Sequence, residues 1–320
     1  MAKCEYIIGV DIGGTNIKIG YFDYESMKLI GTNEFITPKD NQESSIFACL
    51  VECIKSYFHD NNLDYNKIKG IGLAVPAPVV NGYVNKAANL SWHAFNCVEE
   101  LRKHLSNKGI VIAAINDANA AAYGENRLLE KPYDNVVFYT LGTGIGGGII
   151  INKKLIEGLH GSAGELGHMF FSDEIDEVCG CGQKGCLEQL CGTQAILNYT
   201  KGLINSNKYK TSLNPDNLTI KAIFSTSESD EISSIVLDKY AQYIGLSAVN
   251  LSCAVDPEAF IIGGGVSLAG TKLLDRIKYY YKKYARFDMG DTPFILAKTK
   301  NMAGFTGVAY YLKDMFFKAL

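Results

Sequence analysis

Two stretches about 130 residues apart repeat one design. Residues 5–10 run apolar into Asp11-Ile12-Gly13-Gly14-Thr15-Asn16, after which Ile17, Ile19 and Tyr21 alternate with Lys18, Gly20 and Phe22. Residues 135–141 run apolar into Gly142-Thr143-Gly144-Ile145-Gly146-Gly147-Gly148 and on to Ile151. This patterning on either side of a glycine turn predicts strand, turn and strand at both places. The repetition predicts an internal duplication: two α/β halves, each opened by its own hairpin, with a cleft between them. Glycine lets a ligand approach the backbone closely, and the turn N–H groups and threonine hydroxyl suit phosphate oxygens. The first stretch is not a Walker loop, because no Gly-Lys-Ser/Thr is present and no helix follows. Taken singly, the first turn reads more readily as a plain hairpin. Five glycines in the seven residues 142–148 exceed what a hairpin needs and predict close approach to a ligand.

The remaining elements fit this frame. Ile46, Leu50, Cys53, Ile54 and Tyr57 recur at helical spacing, predicting an amphipathic helix over 43–60. Residues 68–75 form a buried strand that must leave its sheet at Pro76-Ala77-Pro78. Asn81-Gly82 signals a turn. Ala88-Asn89-Leu90-Ser91-Trp92 holds the single Trp, which reads as a packing anchor rather than a ligand stacker. A helix over 97–107 and a strand over 109–115 lead to Asn116-Asp117, where another helix starts. A carboxylate at such a handover sits where open α/β sheets bind ligands, and the same position suits a helix cap. Residues 193–245 read as helical and polar, with looser stretches near 206–217 and 225–230 that resemble insertions or connections. An apolar helix over 240–255, a strand over 259–262 and a third turn at Gly263-Gly264-Gly265 follow. A helix over 271–284, a strand over 293–297 and a last helix over 304–320 complete the chain.

Between Gly167 and Glu188 lie His168, Cys179, Cys181 and Cys186, a ligand set that suits tetrahedral zinc in a closed structural site. Glu165 and Glu188 bracket this loop. The other six of the nine cysteines are scattered, which is metal-type and reducing-compartment usage rather than a disulfide framework. A net charge of −3 gives no basic footprint for nucleic acid. No apolar run of about eighteen residues predicts a membrane span, and the first residues lack the pattern of a signal peptide. A cytoplasmic protein without nucleic-acid or membrane partners is expected.

Three glycine turns after strands, two of them with Thr, suit three walls around a nucleotide, and a carboxylate at a strand end suits a general base. In order, Asp11-Ile-Gly-Gly-Thr15, Asn116-Asp-Ala-Asn119, Leu141-Gly-Thr-Gly-Ile-Gly-Gly-Gly148, Gly164-Glu-Leu-Gly-His168 and Cys179-Gly-Cys-Gly-Gln-Lys-Gly-Cys-Leu-Glu188 resemble the motifs of the ROK family (repressors, open reading frames, sugar kinases) across essentially the whole chain. The resemblance implies an α/β protein of two RNase-H-like (actin/hexokinase-type) domains with an interdomain cleft closing over ATP and a hexose. Domains of 1–117 plus 304–320, and of 118–303 carrying the zinc loop 168–186, are expected. The resemblance implies Asp117 as catalytic base and Asn116, Glu165, His168 and Glu188 as sugar contacts. It puts the phosphates on Asp11, Gly13, Gly14, Thr15 and Asn16 and on Gly142, Thr143, Gly144, Gly146 and Gly147. Gly264 and Gly265 form the third nucleotide wall. Zn²⁺ falls on His168, Cys179, Cys181 and Cys186, so His168 would serve both metal and sugar. Mg²⁺ accompanies ATP near Asp11.

The activity implied is phosphorylation of a hexose, with glucose favoured and N-acetylmannosamine, allose or another hexose as alternatives. If the sugar is not glucose, the residues just after Glu188, Gln189 to Thr193, are the first place to look for the reason. A sugar-responsive repressor is the remote alternative, since only ten residues precede Asp11. A homodimer is expected.

Overall fold

The hairpin at the start of the chain forms because Ile17, Ile19 and Tyr21 all turn one fully buried face inward. β1 (Tyr6–Ile12), β2 (Asn16–Asp23) and β3 (Leu29–Ile36) make an antiparallel meander. α1 (Glu43–Asp60) returns the chain to β4 (Ile68–Val75), which runs parallel to β1. Asn81 and Gly82 both take positive φ and close a short hairpin of β5 (Val79–Val80) and β6 (Tyr83–Val84), as a two-residue turn requires. β7 (Phe95–Asn96) pairs with β6, and α2 (Cys97–His104) leads to β8 (Val111–Asn116) beside β4. The sheet order is therefore β3-β2-β1-β4-β8. The computed structural model describes residues 4–38, 43–85, 87, 90, 92 and 94–317. Ala88, Asn89 and Ser91, and the end of the expected last helix at 318–320, lie outside the described residues.

One face of this sheet packs Ile8, Val10, Ile12 and Ile19 against Ile46, Phe47, Leu50, Ile54 and Phe58 of α1. Each of these apolar side chains contributes about 2 kcal/mol by leaving water, an upper figure for a realistic unfolded chain. Trp92 joins the same core at 1% exposure, edge-on to Phe95 at 5.0 Å. It is the packing anchor that the sequence suggested. The opposite face carries α3 (Asp117–Arg127) and α9 (Ala303–Phe316), which pack on each other and, through α9, on β1 and β4. Contact between the two helices is at backbone distance: a Cβ on Gly307 would stand 1.7 Å from the Ala120 carbonyl oxygen. No side chain fits there.

The second unit repeats the topology. β9 (Val136–Leu141), β10 (Ile145–Ile151) and β11 (Lys154–Leu155) precede β12 (Ala259–Gly263) and β13 (Phe294–Leu296), in the order β11-β10-β9-β12-β13. β12 runs parallel to β9 and to β13. Both sheets thus join an antiparallel hairpin to two parallel strands, the order of an RNase-H-like domain, and the duplication read from the sequence is present in the fold. Between β11 and β12 come α4 (Glu188–Cys191), α5 (Thr193–Asn205), α6 (Ile220–Ser225) and α7 (Glu231–Val255); α8 (Thr271–Tyr284) joins β12 to β13. Asp230 caps α7 by accepting from the Ser233 N–H at 3.0 Å, and Asp256 ends it at φ 42° before Pro257.

The structure differs from the sequence reading in three respects. β3 had no counterpart there: only alternate residues of this edge strand are half-buried, and its apolar signal is correspondingly weak. The 193–245 region is less polar than it reads, because Ile196, Ile223, Phe224 and Ile232 belong to the core of the second sheet with Tyr139 and Leu141. The chain divides into one compact unit reaching to Pro132 with Leu155–Ala163 and the residues from Asn301 on, and another of Tyr133–Lys154 and Gly164–Lys300. α3, which the expected boundary at residue 117 put in the second domain, packs with α9 in the first unit. No helix among the described residues is long and apolar enough to cross a membrane.

Two glycines should respond oppositely to one methyl group. Gly307→Ala is expected to cost about 2 kcal/mol by overpacking, a fall in melting temperature of roughly 4–8 °C. Gly202 lies exposed in α5 with nothing within 4 Å of an added Cβ. Gly202→Ala should therefore stabilise by about 0.5–1 kcal/mol. Thermal denaturation of both variants checks the pair.

Candidate functional site

In the first unit the parallel strands β1, β4 and β8 end side by side, with Asp11 level with Ala74 and Val75 level with Asn116. Asp11, Asn116 and Asp117 therefore share the carboxyl edge of one sheet, the usual ligand edge of an open α/β fold. Burial raises the pKa of Asp11 above the usual carboxylate value, and Lys18 opposes the shift. The tight seat of this carboxyl explains Gly304 at the start of α9, where a Cβ would stand 2.6 Å from it.

Asn116, not Asp117, caps α3. The Asn116 Oδ1 accepts from the N–H groups of Ala118 at 2.9 Å and Asn119 at 3.1 Å. Its Nδ2 donates to the Ala77 carbonyl at 3.3 Å, and the residue is 8% exposed. The amide expected to touch sugar is thus engaged inside the fold. Asp117 is the first residue of the helix, half-buried, and its Oδ1 also accepts from the Ala118 N–H at 2.8 Å. The cap reading of Asp117 is displaced onto its neighbour.

The Asp11–Asn16 turn closes through the Gly13 N–H, which donates to the Asn16 carbonyl at 3.0 Å. Thr37, just past β3, holds this turn from outside: its hydroxyl donates to the Gly13 carbonyl at 2.6 Å and its N–H to the Thr15 carbonyl at 2.9 Å.

In the second unit the turn Gly142-Thr143-Gly144 closes one residue tighter, with the Gly142 N–H donating to the Gly144 carbonyl at 3.0 Å. Glu188 reaches it: its Oε2 accepts from the Ile145 N–H at 2.8 Å. A Cβ on Gly144 would lie 2.0 Å from that same oxygen. Gly147 makes room for Leu166, whose side chain would be 2.4 Å from a Cβ there. The close approaches at Gly144 and Gly147 are therefore to protein groups, whereas Gly142 faces open space. At the third turn, Gly264 has φ 80° and backs onto the Leu141 carbonyl, while Gly265 starts a short 3₁₀ turn and is open.

Glu165 precedes a 3₁₀ turn over Leu166–His168. Burial pushes its pKa above the usual carboxylate value; His168 pulls it down and Glu188 adds to the rise. Glu165 is therefore close enough to His168 and Glu188 to sense their charges.

His168, Cys179, Cys181 and Cys186 converge, with one ligand atom from each lying within 4.8 Å of all the others. Cys179 Sγ is 3.6 Å from His168 Nδ1, and Cys181 Sγ is 3.6 Å from Cys186 Sγ. A tetrahedron with metal–sulfur arms of about 2.3 Å has edges of about 3.7 Å, so the spacing and the donor set both fit zinc. The loop is shaped by the Cys179 N–H donating to the Gln183 carbonyl at 2.7 Å and by Gly182 and Gly185 at positive φ. Gln189 clasps it, accepting from the Cys186 N–H at 3.1 Å and donating to the Glu177 carbonyl at 2.8 Å.

The residues after Glu188 have other partners than the sequence reading anticipated. Gln189 serves the metal loop, and Cys191 is 1% exposed in the core. Thr193 serves the Gly142–Gly144 turn, its hydroxyl donating to the Gly142 carbonyl at 2.9 Å and its N–H to the Thr143 carbonyl at 3.0 Å. Sequence reasoning missed Thr37, and it named Gln189 and Thr193 only in connection with sugar choice. The threonine bonds to the turns span 24 and 51 residues, so no local pattern announces them.

Comparison with known proteins agrees with this architecture. A model of the ROK family matches residues 7–315. A glucokinase of Halalkalibacterium halodurans is 32% identical over 318 residues, covering 97% of this chain and 95% of that protein. An N-acetylmannosamine kinase of Yersinia pestis is 31% identical over 265 residues, covering 82% of this chain and 83% of that protein. The crystal structure of a ROK family glucokinase from Streptomyces griseus, in complex with glucose and AMPPNP, is similar with a TM-score of 0.75 at 30% identity, over 96% of this chain and 98% of that one. With the family model spanning nearly the whole sequence and its motifs in order on two RNase-H-like domains, the chain belongs to the ROK family.

Proposed function

We propose that the protein is an ATP-dependent hexose kinase whose preferred substrate is glucose. The observation that carries the reading is at the carboxyl edge of the first sheet: Asn116 does the capping of α3, so the Asp117 carboxylate beside it is not required for that task. Asp117 accepts the proton of the sugar 6-hydroxyl as that oxygen forms a bond to the γ-phosphorus and the bond from γ-phosphorus to the β-γ bridging oxygen breaks. Glu165, His168 and Glu188 accept or donate hydrogen bonds to the other hydroxyls and so select which one meets the base. Asn116 acts one step back, by fixing the start of α3 under Asp117.

The Asp11–Asn16 and Gly142–Gly147 turns hold the phosphates through N–H groups, and Gly264–Gly265 borders the nucleoside. Mg²⁺, when bound, supplies charge neutralisation on the phosphates, and Asp11 is the carboxylate offered toward it. Zn²⁺, when bound by His168, Cys179, Cys181 and Cys186, cross-links the loop and does no chemistry. His168 then has one role in the metal site and one toward sugar. Glucose is favoured because the glucokinase relative aligns over 97% of this chain and the N-acetylmannosamine kinase over 82%. All nine cysteines are free thiols, which fits a reducing compartment and a cytoplasmic location.

A coupled ADP-release assay over a panel of hexoses and amino sugars tests the reading: glucose should give the highest kcat/KM, and a clear preference for N-acetylmannosamine would replace it. Asp117→Asn should keep sugar affinity while kcat falls by about 10²–10⁴ or more; substantial residual turnover would refute the base assignment. Chelating the metal from folded protein should lower the melting temperature and raise the sugar KM together. Unchanged sugar affinity in chelated, folded protein would separate the two roles of His168.

Asp11 provides a pH test. Its folded pKa is raised, so the fold favours the protonated acid, and that contribution to stability is lost as pH rises through the folded pKa. The ionised carboxylate therefore weakens the fold near neutrality. Asp11→Asn should melt above the wild type at pH 8, and the gap should close as pH falls below about 4, where an unfolded aspartate becomes mostly protonated. Parallel melting curves across that range would show that the burial of Asp11 has no energetic consequence.

A further inference from the structure

Each of the two Gly-Thr turns is gripped by a single outside threonine with the same pair of bonds. Thr37 donates its hydroxyl to the carbonyl of Gly13 and its N–H to that of Thr15. Thr193 donates its hydroxyl to the carbonyl of Gly142 and its N–H to that of Thr143. In both, the hydroxyl takes the first glycine of the turn and the backbone takes a carbonyl one or two residues later.

Duplication of the fold does not account for the match. Thr37 lies just past β3, the third strand of its sheet, and the corresponding strand of the second sheet is β11, which ends at Leu155. Thr193 instead opens α5, after Gly192. Two unrelated elements supply one brace, so the requirement belongs to the turn.

The requirement follows from the planar trans peptide. A carbonyl and the N–H of the next residue point in opposite directions from the same plane. Drawing the Gly13 and Thr15 carbonyls onto Thr37 turns the N–H groups of Gly14 and Asn16 away from the brace. Drawing the Gly142 and Thr143 carbonyls onto Thr193 does the same for the N–H groups of Thr143 and Gly144. A glycine turn without a brace can rotate its peptides and offer carbonyl oxygens, which repel an anion. With those carbonyls withdrawn, the N–H groups that follow them are the ones left to face an anion, as phosphate oxygens need.

We propose that Thr37 and Thr193 are positioning residues for the phosphate donor, each locking one Gly-Thr turn in its anion-accepting form. The proposal rests on the reading of these turns as the phosphate-holding ones. Neither threonine is assigned contact with the reacting atoms.

The test replaces each by Val, which keeps the shape and the backbone N–H and removes the hydroxyl. Thr193→Val and Thr37→Val should each lower kcat/KM for MgATP by about fivefold or more, the worth of one net hydrogen bond as an equilibrium ratio. The sugar dissociation constant should stay within about twofold of wild type, since one such bond is the smallest effect to be resolved. Thr37→Ser and Thr193→Ser should recover the MgATP parameters, because Ser restores the donor. Thr37 is buried at 4% exposure, so Thr193→Val and Thr193→Ala, at a half-buried position, carry the test if Thr37→Val does not fold. Val variants with wild-type MgATP kinetics, or with sugar affinity weakened as much as nucleotide affinity, would overturn the proposal. If the wild type phosphorylates no hexose, calorimetry with MgAMPPNP decides. Wild-type binding that weakens in the Val variants upholds the braces while the sugar-kinase reading falls, and a wild type that binds no nucleotide overturns both.

Discussion

The site in the second unit depends on one contact, between the Glu188 carboxylate and the backbone at Gly144 and Ile145. The carboxylate oxygen sits where a Cβ of residue 144 would be and accepts the Ile145 N–H at 2.8 Å. Any side chain at 144 would expel it. Because Glu188 lies two residues beyond Cys186, the contact fastens the metal loop to the hairpin of β9 and β10. Because Glu165 senses the charges of His168 and Glu188, the same contact also sets the electrostatics of the surrounding carboxylates. Order in the loop, the direction of the turn and the ionisation of Glu165 are thereby joined.

What could be read from the chain divides along a physical line. Features whose signal is local were legible: the period-two hairpins, the helix over 43–60, the strand over 68–75, the α8 helix over 271–284 and the Cys/His spacing. Each of these rests on residues near in sequence, and the structure has α1 at Glu43–Asp60 and α8 at Thr271–Tyr284. Features made by distant partners were not legible. Thr37 and Thr193 are ordinary threonines until Gly13 and Gly142 are brought to them. α6 reads as part of a polar helical region until Ile223 and Phe224 are seen buried with Tyr240. The exchange of roles between Asn116 and Asp117 turns on a single-residue difference in where α3 begins, below what periodicity resolves.

Buried acids show where the fold yields stability to chemistry. Asp11 and Glu165 both have their pKa values raised with burial as the leading cause, so each resists its charged form. Such groups are expected where function, not folding, selects the residue. The apolar cores packed against each sheet supply the stability that this arrangement consumes.

The chain from Cys186 to Thr193 binds three things within eight residues. Cys186 belongs to the Cys/His cluster, Glu188 holds the Ile145 N–H and is the carboxylate proposed to meet sugar, and Thr193 ends the segment on the Gly142 carbonyl. A change here that suits a new sugar also shifts the metal loop and the glycine turn, because α4 has only four residues over which to absorb a displacement. This segment is therefore a poor place for substrate preference to drift. Divergence among kinases built this way should accumulate instead where a side chain faces the sugar without holding anything else, and a designer seeking a new acceptor should leave 186–193 untouched.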